Sequence, residues 1–169
     1  DTLLDGKGLP KGSSVLVLGA PGCGKTTFSL QFLQAGVSQG ENGVYVSLDE
    51  DPQNLISNAQ HLGVDLKKPV DSGKIAIVDA SPIRLLPPKL KLGSAEVGRK
   101  EFALATLISS LTEAIHKVKA ARLVIDPIST LILHFSEEFE RRIAFLDLLA
   151  ATSKSGCSTL LVSELSDAQ

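Results

Sequence analysis

Five short apolar runs, rich in β-branched residues, fall at 14–18, 44–48, 75–78, 122–125 and 158–162, and longer stretches of helical period separate them. Apolar runs without polar alternation suit strands buried on both faces, and their alternation with helices predicts an α/β fold with a mainly parallel sheet. One helical stripe follows Phe28, Phe32 and Val37, a second Leu104, Leu107, Ile108, Leu111, Ile115 and Val118, and a third Phe139, Ile143, Leu146 and Ala150. Each stripe is expected to pack on the sheet. Asp51 followed by Pro52 reads as an N-cap with proline in the first turn, opening a short helix over 52–61 that stops at Gly63.

Segment 82–100 interrupts this rhythm. It carries Arg84, Lys89, Lys91, Arg99 and Lys100 against Glu96 alone, together with Pro87 and Pro88. The expectation is an irregular basic loop, either solvated or touching a neighbouring subunit; with no interleaved aromatic it is a poor nucleic-acid surface.

Composition narrows the class. A chain of 169 residues, 43% hydrophobic, is about one domain long and can bury a sizeable core. Its 17 basic and 19 acidic residues give a formal charge of -2, so no global field draws it to nucleic acid or to an anionic membrane. No apolar run approaches the roughly 20 residues of a membrane span and no secretory signal opens the chain, which makes the cytoplasm the expected location. Cys23 and Cys157 are too few for a disulfide framework and are expected to be free thiols, Cys23 at a variable position of a glycine-rich loop. His61, His116 and His134 lie at no metal-binding spacing and read as surface or core fillers. The chain begins with Asp1 and contains no Met, so it reads as an excised piece or one with trimmed numbering.

The chemistry starts at Gly19, where Gly19-Ala20-Pro21-Gly22-Cys23-Gly24-Lys25-Thr26 fits G-x-x-x-x-G-K-T between an apolar run and a helical stretch beginning at Thr27. That spacing is a P-loop: backbone N–H groups turn inward around a diphosphate, and the helix that follows points its N-terminus at the same anion. Lys25 is expected on the β and γ phosphates and the Thr26 hydroxyl on Mg²⁺, a hard cation that takes oxygen donors. The phosphate-binding set is thus Gly19, Ala20, Pro21, Gly22, Cys23, Gly24, Lys25, Thr26 and Thr27.

Hydrolysis needs two further parts. Leu123-Val124-Ile125-Asp126 is an apolar strand ending in a carboxylate, which puts Asp126 on the metal side, directly or through water. The run at Val44 ends in Asp49, Glu50 and Asp51. Asp51 suits the helix cap, leaving Asp49 and Glu50 as candidates to orient or deprotonate an attacking water. Glu164 ends the last run and is either a γ-phosphate sensor or an exposed loop acid.

With these residues assembled, the chain resembles the KaiC branch of the RecA-type ATPases over nearly its whole length. Besides the P-loop, Gly8-Leu9-Pro10-Lys11-Gly12 resembles that family's G-L-P-x-G lead into its first strand, and Phe28-Ser29-Leu30-Gln31-Phe32-Leu33 its post-loop helix. Asn54 to Ala59 with Leu62 to Leu66 resembles the segment after its paired acids. The resemblance implies a RecA-like P-loop NTPase core with strands in the order 3-2-4-5-1, and a ring, usually of six subunits, with ATP at each interface. It implies ATP with Mg²⁺ as ligands, and a water-activating pair at Asp49 and Glu50 whose first member is one methylene shorter than the family's glutamate. It also implies further C-terminal strands and basic fingers that this chain lacks, making 1–169 one truncated ATPase domain with an open first-strand edge. The expected function is an ATPase module coupling nucleotide state to ring conformation in signalling or timing. The alternatives are a RecA-type DNA repair ATPase, disfavoured by Glu137, Glu138, Glu140, Glu164 and Asp167 where DNA-binding loops belong, and an ATP-bound scaffold that hydrolyses little. Autokinase activity stays open, since the family's phosphorylated segment lies beyond Gln169.

Overall fold

A computed structural model describes residues 8–81, 89–92, 95–132, 135 and 137–164. The elements run β1 (Ser14–Gly19), α1 (Lys25–Ser38), β2 (Asn42–Ser47), α2 (Pro52–His61), α3 (Lys67–Asp71), β3 (Ile75–Asp79), β4 (Lys89–Leu92), β5 (Ala95–Gly98), α4 (Arg99–Val118), β6 (Ala120–Asp126), α5 (Ile128–Ile132), α6 (Glu138–Ser155) and β7 (Ser158–Glu164). No described helix is long and apolar enough to cross a membrane.

The five apolar runs form one sheet in the order β1-β7-β6-β2-β3, with every neighbouring pair parallel. Parallel strands need long crossovers, and the helices supply them while covering both faces. Side chains alternate across the sheet, so β2 sends Val44 and Val46 into one core cluster, joined by Leu48 just past the strand, and Tyr45 into the other. The first cluster packs β2, β6 and β7 under α4 and α6; the second packs them under α1 and α2, with Leu30, Leu33, Leu55 and Ala59 buried.

The expected strands therefore occur with their ends moved by a residue or two, β2 starting earlier at Asn42 and leaving Leu48 outside while the other four are extended, and one detail of the topology differs. Segment 82–100 holds an antiparallel hairpin, Lys89 paired with Gly98 and Leu92 with Ala95, followed by the first turn of α4. The expectation of irregular structure is corrected there: Lys89 and Lys91 belong to β4, and Arg99 and Lys100 to α4. Arg84, Pro87 and Pro88, like His134 and Asp167, lie outside the described residues.

Two helical faces also differ. In α1 the buried positions are Lys25, Ser29, Leu30, Leu33 and Gly36, whereas Phe28 is 49% exposed. In α6 they are Ala144, Leu148 and Thr152, while Phe139, Ile143 and Leu146 face outward. Small residues explain the choice in α1: a Cβ at Gly36 would lie 2.6 Å from Arg122 Cδ, so only glycine lets β6 and its arginine come this close. The α4 stripe packs as expected, with Leu107, Leu111 and Ile115 buried. So does α2, whose N-cap Asp51 accepts from the N–H groups of Gln53 and Asn54, each at 3.0 Å.

Candidate functional site

All five strands of the sheet end at the same edge, and their last paired residues form a row: Gly19 opposite Glu164, and Ser47 opposite both Asp126 and Asp79. Ligands of open parallel sheets bind outside these carboxyl ends. A cleft of about 330 Å³ opens there, lined by Gly22, Gly24, Lys25, Thr26, Thr27, Tyr45, Ser47, Asp49, Glu50, Leu62, Asp126, Pro127 and Glu164. The fold thus gathers residues scattered over more than 140 positions, including both halves of the acidic pair and the strand-end glutamate.

The loop from β1 to α1 turns through Gly22 and Gly24, with φ of 76° and 92°. Both lie in the left-handed region that a side chain disfavours, which is why the motif demands glycine at these points. Gly24 is the N-cap of α1 and offers no side chain, so nothing from the cap competes for the first-turn N–H groups. Lys25 is 9% exposed, and its ammonium donates to the carbonyls of Gly19 at 2.9 Å and Ala20 at 2.8 Å. The loop carries its cation inside its own curve. Ala20 and Pro21 complete the turn, and Cys23 is exposed, its Sγ over Gly19; Cys157 is buried, and both are free.

Asp126 is buried and receives two hydrogen bonds on the same oxygen. Thr26 Oγ1 donates to Oδ2 at 2.9 Å, and Tyr45 OH donates to Oδ2 at 2.7 Å. Burial raises the pKa of Asp126 above the usual carboxylate range, opposed by the Tyr45 and Thr26 hydrogen bonds and by Lys25. Tyr45 is pushed the same way, first by burial and then by the Asp126 charge, so its phenol keeps its proton. A threonine that spends its hydrogen on Asp126 keeps its lone pairs for a hard cation, and this donor set of one hydroxyl and one carboxylate suits nucleotide-bound Mg²⁺.

The acids after β2 diverge. Thr130 of α5 donates to Asp49 Oδ1 at 2.6 Å, and Asn58 of α2 donates to Glu50 Oε2 at 2.7 Å. Ser47 ties the turn together, its hydroxyl donating to the Glu50 carbonyl at 2.5 Å. Asp51 points away into its helix cap. Tyr45, Thr130 and Asn58 carry no sequence signal of their own: a lone tyrosine in an apolar strand reads as core, and the two helical residues read as surface.

A larger groove of about 1190 Å³ lies between α4 and α6, among Leu104, Ile108, Phe139 and Ile143. It contains none of the motif residues. We take the smaller cleft as the site, because a site is decided by convergent polar groups rather than by volume.

The geometry is that of a P-loop facing a strand-end carboxylate, and comparison with known proteins agrees. The KaiC ATPase family matches residues 1–169. The chain belongs to that family. It is 39% identical over 158 residues to the circadian clock oscillator protein KaiC of Synechococcus elongatus, a match covering 93% of this chain and 29% of that protein. A UPF0273 protein of Pyrococcus horikoshii is 34% identical over 166 residues, covering 98% and 65% of the two chains. The crystal structure of a KaiC-like protein from the same archaeon superposes with a TM-score of 0.75 at 32% identity, covering 94% of this chain and 63% of that one. The chain therefore spans under a third of the cyanobacterial clock protein and just under two thirds of these archaeal relatives.

Proposed function

We infer that this chain is an Mg²⁺-dependent ATP-hydrolysing module whose nucleotide state sets the conformation of a ring, six-membered as in the family resemblance, for signalling or timing. The observation that carries the reading is the convergence of Lys25, Thr26, Asp126, Asp49, Glu50 and Glu164 on one cleft at the strand ends. The loop amides and Lys25 would hold the phosphates, and Thr26 with Asp126 would hold Mg²⁺, which would supply neutralisation of phosphate charge. Lys25 exchanges its two carbonyl contacts for phosphate oxygens, a charge-assisted bond in place of a neutral one. Asp49 or Glu50 accepts the proton of the water that attacks the γ phosphorus as ADP departs. Glu164, paired in register with the P-loop's first glycine, is set to feel the γ phosphate through its strand. The cytoplasm, where ATP is abundant, is the compartment that fits.

The test is phosphate release and ATP affinity, read beside a mass measurement in ATP. Lys25→Ala removes a charged hydrogen-bond donor and is expected to weaken ATP binding by about 100-fold or more. Alanine at Asp49 or at Glu50 should leave binding intact while, at the acid that serves, turnover falls about 100-fold. Turnover unchanged in all three variants overturns the reading; tight retention of ATP without phosphate release replaces it with a nucleotide-bound scaffold.

A further inference from the structure

Tyr45 is 1% exposed, and its ring belongs to the core cluster formed with Leu30, Leu33, Val124 and Leu160. Its hydroxyl is the exception to that apolar setting. From the middle of β2 the side chain runs along the α1 face of the sheet toward the strand ends, and the phenol reaches Asp126 Oδ2 at 2.7 Å. Thr26 Oγ1 meets the same oxygen from the first turn of α1 at 2.9 Å.

Two donors from two elements constrain a carboxylate in a way that one does not. The terminal torsion of aspartate is broad and roughly two-fold, so an Asp126 held by Thr26 alone pivots about that single bond. A second donor, anchored by a buried ring on the neighbouring strand, fixes the plane of the carboxylate. Both hydroxyls meet Oδ2, so neither occupies Oδ1 of this cleft-lining carboxylate. A phenol donates without adding charge, so it orients Asp126 while leaving it anionic.

We propose that Tyr45 is a positioning residue for the metal side of the site, its hydroxyl holding Asp126 in the orientation that serves Mg²⁺ beside Thr26. The proposal rests on the reading of Asp126 as the metal-side carboxylate. Partners of this kind, one bond removed from the ion, commonly contribute 10- to 100-fold to metal affinity or activity.

Tyr45→Phe removes one oxygen and keeps the ring. In the 169-residue chain, the free Mg²⁺ giving half-maximal ATP turnover is expected to rise about 10-fold in this variant. ATP affinity measured in EDTA, which depends on Lys25 and the loop, should match the unmodified protein. A merely structural hydroxyl would lower the melting temperature and leave the Mg²⁺ requirement where it was, and that result overturns the proposal. If Tyr45→Phe does not fold, the unmodified protein decides. Tyr45 is the single tyrosine and the chain has no tryptophan, so tyrosine emission reports this hydroxyl alone. A carboxylate acceptor quenches phenol emission, and drawing Asp126 toward Mg²⁺ weakens that acceptor. Emission in the presence of a non-hydrolysable ATP analogue should therefore rise with Mg²⁺, its midpoint tracking that of turnover, and emission indifferent to Mg²⁺ overturns the proposal. The two readings separate cleanly. ATP affinity in EDTA indifferent to Lys25→Ala sinks the nucleotide site itself, whereas a functional site with an unchanged Mg²⁺ requirement in Tyr45→Phe sinks only the role of Tyr45.

Discussion

Arg122 shows how one residue ties a strand to a helix and to the turn that follows it. From the start of β6 its Nε donates to Glu41 Oε2 at 2.7 Å, Nη1 donates to the Phe32 carbonyl at 2.7 Å, and Nη2 donates to Gln39 Oε1 at 3.0 Å. The guanidinium also lies 4.7 Å from the centroid of the Phe32 ring. This clamp fixes the end of α1, and hence the helix whose other end carries Lys25 and Thr26. Hydrogen bonds to charged groups contribute about 1.5 to 3 kcal/mol each, partly offset here by residual solvent exposure, so Arg122→Ala is expected to cost about 2 to 3 kcal/mol in a denaturant titration. The pair also has a pH signature. The Arg122 hydrogen bond lowers the Glu41 pKa below its ordinary value of 4.5. A carboxylate depressed on folding stabilises fully above its unfolded pKa, and that stability disappears as pH falls through the lowered folded value. The stability difference between the unmodified protein and Glu41→Gln should accordingly be constant near neutrality and shrink below about pH 4.5. A difference that is flat down to pH 3 would show that the charge of Glu41 does not contribute.

At the scale of elements, α2 and α6 mark the two limits of what the chain discloses locally. Helix α2 was legible to the residue because its ends are written in backbone chemistry: Asp51 caps, Pro52 tolerates the missing N–H of the first turn, and Gly63 follows with φ of 76°. Helix α6 was legible only as a helix. Apolar residues occupy most of its circumference, at Phe139, Ile143, Ala144, Phe145, Leu146, Leu148 and Leu149, so periodicity alone offered two faces. The packed one is the face with Ala144 and Thr152, where small side chains allow close approach. The hairpin of β4 and β5 escaped for another reason: its four-residue strands contain Lys89, Lys91 and Glu96, and their pairing with each other needs no apolar run. The same division applies to the site. Lys25, Thr26, Asp49, Glu50 and Asp126 stand in motifs defined by spacing, whereas Tyr45, Thr130 and Asn58 meet the carboxylates of the site only through strand register and helix placement. The cap of α2 therefore bears on the cleft as well as on stability. Asp51→Ala should lower stability by about 1 kcal/mol, seen as a reduced melting temperature. Because α2 also carries Asn58 against Glu50, the same substitution should lower turnover more at high temperature, where the helix end frays, than at low temperature; equal effects at both temperatures would show that the grip on Glu50 is independent of the cap.

For the whole molecule the decisive imbalance is between a sheet well covered at its centre and an apolar surface left at one side. The central strands are sealed: Val44, Val46, Leu123, Val124 and Ile125 are at 0% exposure. At the β1 edge, by contrast, Leu16 is 44% and Leu18 53% exposed, and α6, which packs near β1, adds Phe139 at 73%, Ile143 at 42% and Leu146 at 50%. An edge strand offers unpaired backbone N–H and C=O groups, and here it also offers leucines, the combination that templates self-association. Single exposed apolar residues are ordinary, whereas several on one helix face are not. The 169-residue chain is therefore expected to gain mass with concentration in light scattering, and to do so more at high salt, where apolar contact is strengthened and charge repulsion is screened. Replacing Phe139 and Ile143 together by lysine should suppress this gain. Because these side chains are largely outside the core and do not line the cleft, the double substitution should change unfolding free energy by no more than about 1 kcal/mol and leave ATP affinity, which depends on the start of α1 and the strand ends, unaltered. Leu16→Lys separates the two contributions: suppression by this change alone assigns self-association to the β1 edge, and suppression only by the α6 pair assigns it to the helix face. Mass that stays monomeric for the unmodified chain at every concentration and salt would mean that neither surface is sticky, and that the helices shield the edge more fully than their exposures indicate.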